Sequence, residues 1–76
     1  MGLFNRWRPT MVELPEKSGC YLITEQLSGS RVCNIGYFDA VSKRWKYPWK
    51  EWRLSDPDYG WITNTVVAWK KLPKTF

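Results

Sequence analysis

The stretch from Cys20 to Phe38 constrains this chain more than any other. Its first part, CYLITE, follows Gly19 and is rich in side chains that favour extended backbone. Its last part, RVCNIGYF, running from Arg31 to Phe38, has the same character. Between them lies QLSGS, with Ser28 and Gly29 as the tight point of a reversal. Two strands folded back on each other are therefore expected. Gly36 interrupts the second strand and marks either a bulge or room for a neighbouring ring.

The rest of the chain is arranged around this hairpin. Leu14-Pro15-Glu16-Lys17-Ser18-Gly19 reads as a turn leading into the first strand. Asp39 to Ser42 is a second turn, and Lys43 to Tyr47 a third strand stopped at Pro48. Val66 to Leu72 is the last strand, ended by Pro73. Trp45, Trp49 and Trp52 are spaced by four and three residues, as on one helical face. Pro48 suits the first position of a helix, so a short helix or 3₁₀ turn from Pro48 to about Leu54 is expected. The fold class is small α+β or mostly β: a three- to four-stranded antiparallel sheet with that one short helical element. Trp7, Leu14, Leu22, Val32, Phe38, Trp45, Val67, Trp69 and Leu72 are the expected structural residues. Residues 1–10 form a basic and aromatic arm that Pro9 closes off from regular structure, and residues 11–76 form the single domain. Both faces of the strands carry apolar residues. The tryptophan-rich segment is expected to cover part of one face, and the arm part of the other.

A chain of 76 residues makes one domain, and at that size it buries about 60–65% of its extended surface. Large aromatic side chains offset this, because each buries much apolar area per ordered residue. Nothing approaches the apolar run of a membrane span. The first ten residues lack the pattern of a secretory leader, so a cytoplasmic location is expected. With no such leader, Cys20 and Cys33 are expected as free, buried thiols rather than a disulfide.

Chemistry is sparse. The chain has no histidine, so no His-based acid–base pair, triad or zinc site is expected. Neither cysteine has a sequence neighbour that would activate it as a thiolate. Asp56-Pro57-Asp58 is too short for a calcium loop, and no glycine spacing fits a phosphate loop. The protein is expected not to be an enzyme and to need no cofactor or metal.

What remains is charge and aromaticity. The net charge is +5, and the segment from Lys43 to Trp61 concentrates both features. It holds Trp45, Trp49, Trp52 and Trp61 with Lys43, Arg44, Lys46, Lys50 and Arg53. Arg44, Lys46, Trp49, Lys50, Trp52 and Arg53 are the candidate interaction residues. Tryptophan and arginine dominate protein interfaces when they meet in a desolvated patch. Cations interleaved with rings also serve single-stranded nucleic acid.

The order of landmarks resembles the DUF551 family of short bacteriophage and prophage proteins of unknown function. The matching positions are Trp7, Leu14-Pro15 with Gly19, Tyr21-Leu22-Ile23, Tyr37-Phe38-Asp39, Trp45, and the closing run Val66-Val67-Ala68-Trp69-Lys70-Lys71-Leu72-Pro73. The resemblance spans nearly the whole chain. Ala68 stands where that family usually has a histidine, and Lys70-Lys71 replaces Met-Pro. The family has no established activity, so the resemblance implies a fold and a phage setting. In that setting the expected function is an accessory protein that binds a host protein, such as a defence complex, and inhibits or redirects it. The partner would carry an acidic or nucleic-acid-binding surface. Two alternatives stand beside it: a single-stranded nucleic-acid-binding protein, and a small virion or morphogenesis component.

Overall fold

The computed structural model describes residues 6–49 and 60–73. Within them the chain forms strands β1 (Arg8–Pro9), β2 (Gly19–Leu27), β3 (Ser30–Asp39), β4 (Arg44–Lys46) and β5 (Thr65–Lys71). They make one sheet in the order β1-β5-β2-β3-β4, and every pairing is antiparallel. The protein is mostly β, with five strands where three or four were expected. The hairpin of β2 and β3 is continuous from Gly19↔Phe38 to Leu27↔Ser30. Ser28 and Gly29 make its turn, and Gly29 takes a φ of 82°, which glycine adopts without steric cost.

The extra strand comes from the N-terminal segment. Arg8 pairs with Trp69 and Pro9 with Ala68, and the Thr10 amide donates to the Val67 carbonyl at 3.1 Å. Pro9, expected to end regular structure, instead occupies a two-residue edge strand. Proline is tolerated there because an edge position does not need its missing N–H. Residues 8–10 thus extend the sheet sideways rather than covering a face; residues 1–5 of the expected arm lie outside the described residues. Pro48 and Trp49 form a turn; the rest of the expected helical element lies outside the described residues.

Strand alternation sorts the side chains into two faces. Ile23 on β2, Phe38 on β3, Trp45 on β4, and Val66 and Trp69 on β5 bury together on the inner face. Leu14, Tyr21, Ala40 and Ile62 pack around them. Val66 and Trp69 are three apart, so plain alternation would put them on opposite faces. A β-bulge solves this: Thr24 pairs with Ala68, but Glu25 pairs with Val66, leaving Val67 as the extra residue. Val67 was expected in the core; the bulge gives that place to Val66.

Four other expected core positions differ. Leu22 alternates onto the outer face and is only half-buried. Val32 is exposed: it pairs with Glu25 of β2, but β4 pairs only with Tyr37 to Asp39, so no described strand flanks it on the other side. Leu72 follows the last residue of β5 and is exposed. Trp7 precedes β1 at the sheet edge and is exposed too.

The sheet is strongly curled. Gly60 to Ile62 returns along the outer side of β4: the Tyr47 amide donates to the Gly60 carbonyl and the Ile62 amide to the Trp45 carbonyl, both at 2.9 Å. β5 begins at Thr65, on the far side of β2. Across a flat sheet that separation is four strand spacings, about 19 Å. The three residue steps from Ile62 to Thr65 span at most about 11 Å. The flanks must therefore wrap toward each other, which makes the outer face convex and closes the inner face around the core.

Gly36 is not at a bulge; it makes room for neighbours. A Cβ there would lie 2.7 Å from Ile23 Cδ1 and 3.3 Å from Trp45 Cε3. Ile23 is fully buried and Trp45 nearly so, so neither yields easily. Gly36→Ala is expected to cost about 1–3 kcal/mol through overpacking. Urea unfolding checks this; an unchanged midpoint would show that the core absorbs the methyl group.

Candidate interface on the outer sheet face

The register that buries Trp45 turns its neighbours Arg44 and Lys46 to the convex face. Lys46 pairs with Tyr37, Arg44 with Asp39, and Lys46 forms an isolated bridge with Trp61. Directly paired residues share a face, so Tyr37, Arg44, Lys46 and Trp61 come together there. The Arg44 guanidinium lies 4.3 Å from the centroid of the Trp61 ring. The Lys46 ammonium lies 5.6 Å from the same ring and 5.5 Å from that of Tyr37. These are cation–π distances, with the ring faces attracting the charges.

The preceding turn aims β4. Asp39 Oδ1 accepts from the Val41 amide at 3.1 Å, and Oδ2 from the Ser42 hydroxyl at 2.8 Å. The Lys43 amide closes the turn on the Asp39 carbonyl at 2.7 Å, and Lys43 takes a φ of 59°. The Ser42 hydroxyl, then the Val41 amide, hold the Asp39 carboxyl below the usual carboxylate range. Its charge is thus kept beside the Arg44 strand.

Across the convex face the chemistry changes in bands. At the β5 flank, Lys70 pairs with Leu22, and its ammonium lies 5.0 Å from the Trp7 ring centroid. Leu22 pairs with Ile35 in the middle of the sheet, and Ile35 is 40% exposed. Cys20 pairs with Tyr37 and Cys33 with Thr24; both are free but exposed where buried thiols were expected, because they fall on the parity opposite to Ile23 and Phe38. The β4 flank carries Arg44, Lys46 and Trp61. An apolar centre thus lies between two cationic and aromatic flanks.

Of the residues expected to interact, Arg44 and Lys46 join this face. Trp49 lies past Pro48; it is 57% exposed, with its ring centroid 4.9 Å from that of Tyr47. Lys50, Trp52 and Arg53 lie outside the described residues. Tyr37, Trp61, Leu22, Ile35, Lys70 and Trp7 were not placed in the site by sequence. Their signal was present in the alternation of β3: Ile35 and Tyr37 fall on the opposite parity to Phe38. Apolar residues on both parities hid which face was outside.

Sequence also passed over Glu25, a single carboxylate inside an apolar strand. It is 1% exposed. Its Oε1 accepts from the Tyr47 hydroxyl at 2.6 Å and from Asn64 Nδ2 at 3.2 Å. Its Oε2 accepts from Asn34 Nδ2 at 3.2 Å. Among the described residues these donors are all neutral, and such bonding makes a buried carboxylate tolerable. Burial pushes the Tyr47 hydroxyl above its ordinary range, and the bond to Glu25 and its charge add to the effect.

Among the described residues no helix is long and apolar enough to cross a membrane. Comparison with family models, curated proteins and solved structures returned no match.

Proposed function

We propose that the protein is a non-catalytic binding module of bacteriophage type. It docks the convex face of its sheet onto a host protein and inhibits or redirects it, a defence complex being one such target. The observation that carries this reading is the banding of the face: Leu22 and Ile35 at the centre, Lys70 with Trp7 on one flank, Arg44 and Lys46 with Trp61 on the other. An apolar centre within a charged rim is the anatomy of a protein interface. A partner of matching chemistry has an apolar hollow ringed by acidic side chains, which would steer association and set orientation. The aromatic and arginine residues at the β4 flank are of the types that carry interface energy. Single-stranded nucleic acid is instead held in cationic grooves with aromatic platforms; a convex face with an apolar middle suits it less well.

The test is affinity capture from bacterial host lysate, with and without nuclease, followed by binding of the purified partner. Two variants accompany the wild type. One is Ile35→Glu, which puts a charge in the apolar centre. The other is Arg44→Glu with Lys46→Glu and Lys70→Glu, which reverses the rim. Arg44 and Ile35 are exposed and Lys46 and Lys70 half-buried, all on the outer face away from the core; substitutions outside the core are seldom severely destabilising, so both variants are expected to fold, which circular dichroism checks. A partner that survives nuclease and binds both variants at least tenfold more weakly supports the reading. Undiminished binding by folded variants overturns it. Loss of capture on nuclease treatment, with a steep salt dependence for a purified oligonucleotide, would replace it with nucleic-acid binding.

A further inference from the structure

We infer that Glu25 is a positioning residue that builds the β4 flank of the convex face from inside the fold. Its carboxylate sits on the inner side of β2, the central strand. The two groups that donate to its Oε1, the Tyr47 hydroxyl and Asn64 Nδ2, belong to residues at opposite ends of the segment joining β4 to β5. Tyr47 directly follows β4, and Asn64 directly precedes β5. One oxygen thus clamps the start and the finish of an 18-residue connection, numbered 47–64.

The consequence for the surface follows from the backbone. The amide of Tyr47 holds the Gly60 carbonyl, and the Trp45 carbonyl holds the Ile62 amide. Trp61 lies between those two bonds, and this pairing sets its ring 4.3 Å from the Arg44 guanidinium. Gly60 to Ile62 is a short ribbon at the edge of the sheet, with the isolated bridge Lys46↔Trp61 as its one bridge outside the named strands among the described residues. Such a ribbon has little stability of its own. Anchoring both ends of the connection on Glu25 removes much of the conformational freedom that would otherwise detach it. Hydrogen bonds to an ionised acceptor are the stronger kind, and their exchange for water is disfavoured where the acceptor is buried. The third donor, Asn34, sits on β3 and fixes Oε2, so the carboxylate presents Oε1 to the connection.

The experiment is amide hydrogen exchange on the full chain, read residue by residue. The double variant Tyr47→Phe with Asn64→Ala removes both donors while leaving Glu25 and β2 in place. Protection of the Tyr47 or substituted-position amide and of the Ile62 amide is expected to fall about ten- to a hundredfold, as for losing a bond to a charged group. Amides of Ile23 and Phe38 in the central hairpin are expected to change much less. Equal loss at all four positions would show that Glu25 serves global stability alone; unchanged protection at Ile62 would show that the clamp does not hold the ribbon. Either result overturns the inference. Glu25→Gln is the conservative control, since it keeps an acceptor for Tyr47 and Asn64 and should preserve most of the protection at Ile62. These measurements need no partner. The weakening of partner binding by the same double variant rests on the proposed function; normal binding with lost protection would count against the convex face as the docking surface while leaving the clamp intact.

Discussion

Trp69→Ala is expected to lower the stability of the protein by about 3–5 kcal/mol, the range for deleting a buried large aromatic side chain. Trp69 is 3% exposed and lies directly across from Ile23, which is wholly buried. Its ring meets Tyr21 edge-on at a centroid distance of 5.2 Å, an arrangement with its own attraction beyond the area buried. Its indole Nε1 donates to the Glu13 carbonyl at 3.0 Å, so the ring also pins the loop between β1 and β2 to the core. The Arg8 guanidinium, 5.3 Å from the ring centroid, covers it from the edge strand. Alanine would leave a cavity at a junction of β1, β2 and β5, and an unpaired carbonyl on the loop. Small domains have about 5 kcal/mol of stability at the low end of the range, so the variant is expected to be largely unfolded at moderate temperature. Circular dichroism with urea titration measures this. A midpoint within experimental error of the wild type would show that Trp69 is peripheral.

Trp45→Ala and Trp61→Ala are expected to fail in opposite ways. Trp45 is nearly buried. Its ring lies 4.7 Å from that of Phe38 and 6.1 Å from that of Tyr21, and it fills the space beside Gly36. Its removal is expected to cost about 3–5 kcal/mol. Trp61 is on the convex side, half-buried against Arg44 and Lys46. Its loss is expected to change stability by about 1–2 kcal/mol, the worth of cation–π contacts on a half-buried ring and less than the loss of Trp45. On the proposed function its loss weakens partner binding by at least about thirtyfold, the effect of an interface hot spot of 2 kcal/mol. Melting curves and titration with the purified partner measure the two quantities. A destabilised Trp61→Ala that binds normally would reverse the assignment of core and surface around β4.

How much of this was legible depends on where each property comes from. The β2–β3 hairpin was legible because β propensity and a Ser-Gly turn are local properties of adjacent residues. Phe38, Trp45 and Trp69 were legible as core because large aromatic residues in extended runs have few alternatives to burial in so short a chain. Leu22 was misplaced because β2 and β3 carry apolar side chains on both parities, and a strand pattern of that kind does not say which parity faces inward. Val67 was misplaced for a different reason. A bulge shifts parity in mid-strand, and it is created by the pairing of Glu25 with Val66 across two strands distant in sequence.

The sequence by itself determined that the chain is built on an antiparallel sheet, where its hairpin turns, and that cations and tryptophans crowd the region from residue 43 onward. Each follows from the identities of near neighbours. Only the tertiary structure decided that Pro9 belongs to an edge strand, that Arg44 and Lys46 share a face with Tyr37, Trp61, Leu22 and Ile35, and that Glu25 ties both ends of a long connection. Those are products of register and curl. Moving a strand by one residue exchanges its faces, and a flat sheet would leave Asn64 far from the β4 flank that Tyr47 follows. The order of the strands and the closure of the sheet, which depend on contacts between distant residues, set the surface that a partner would meet.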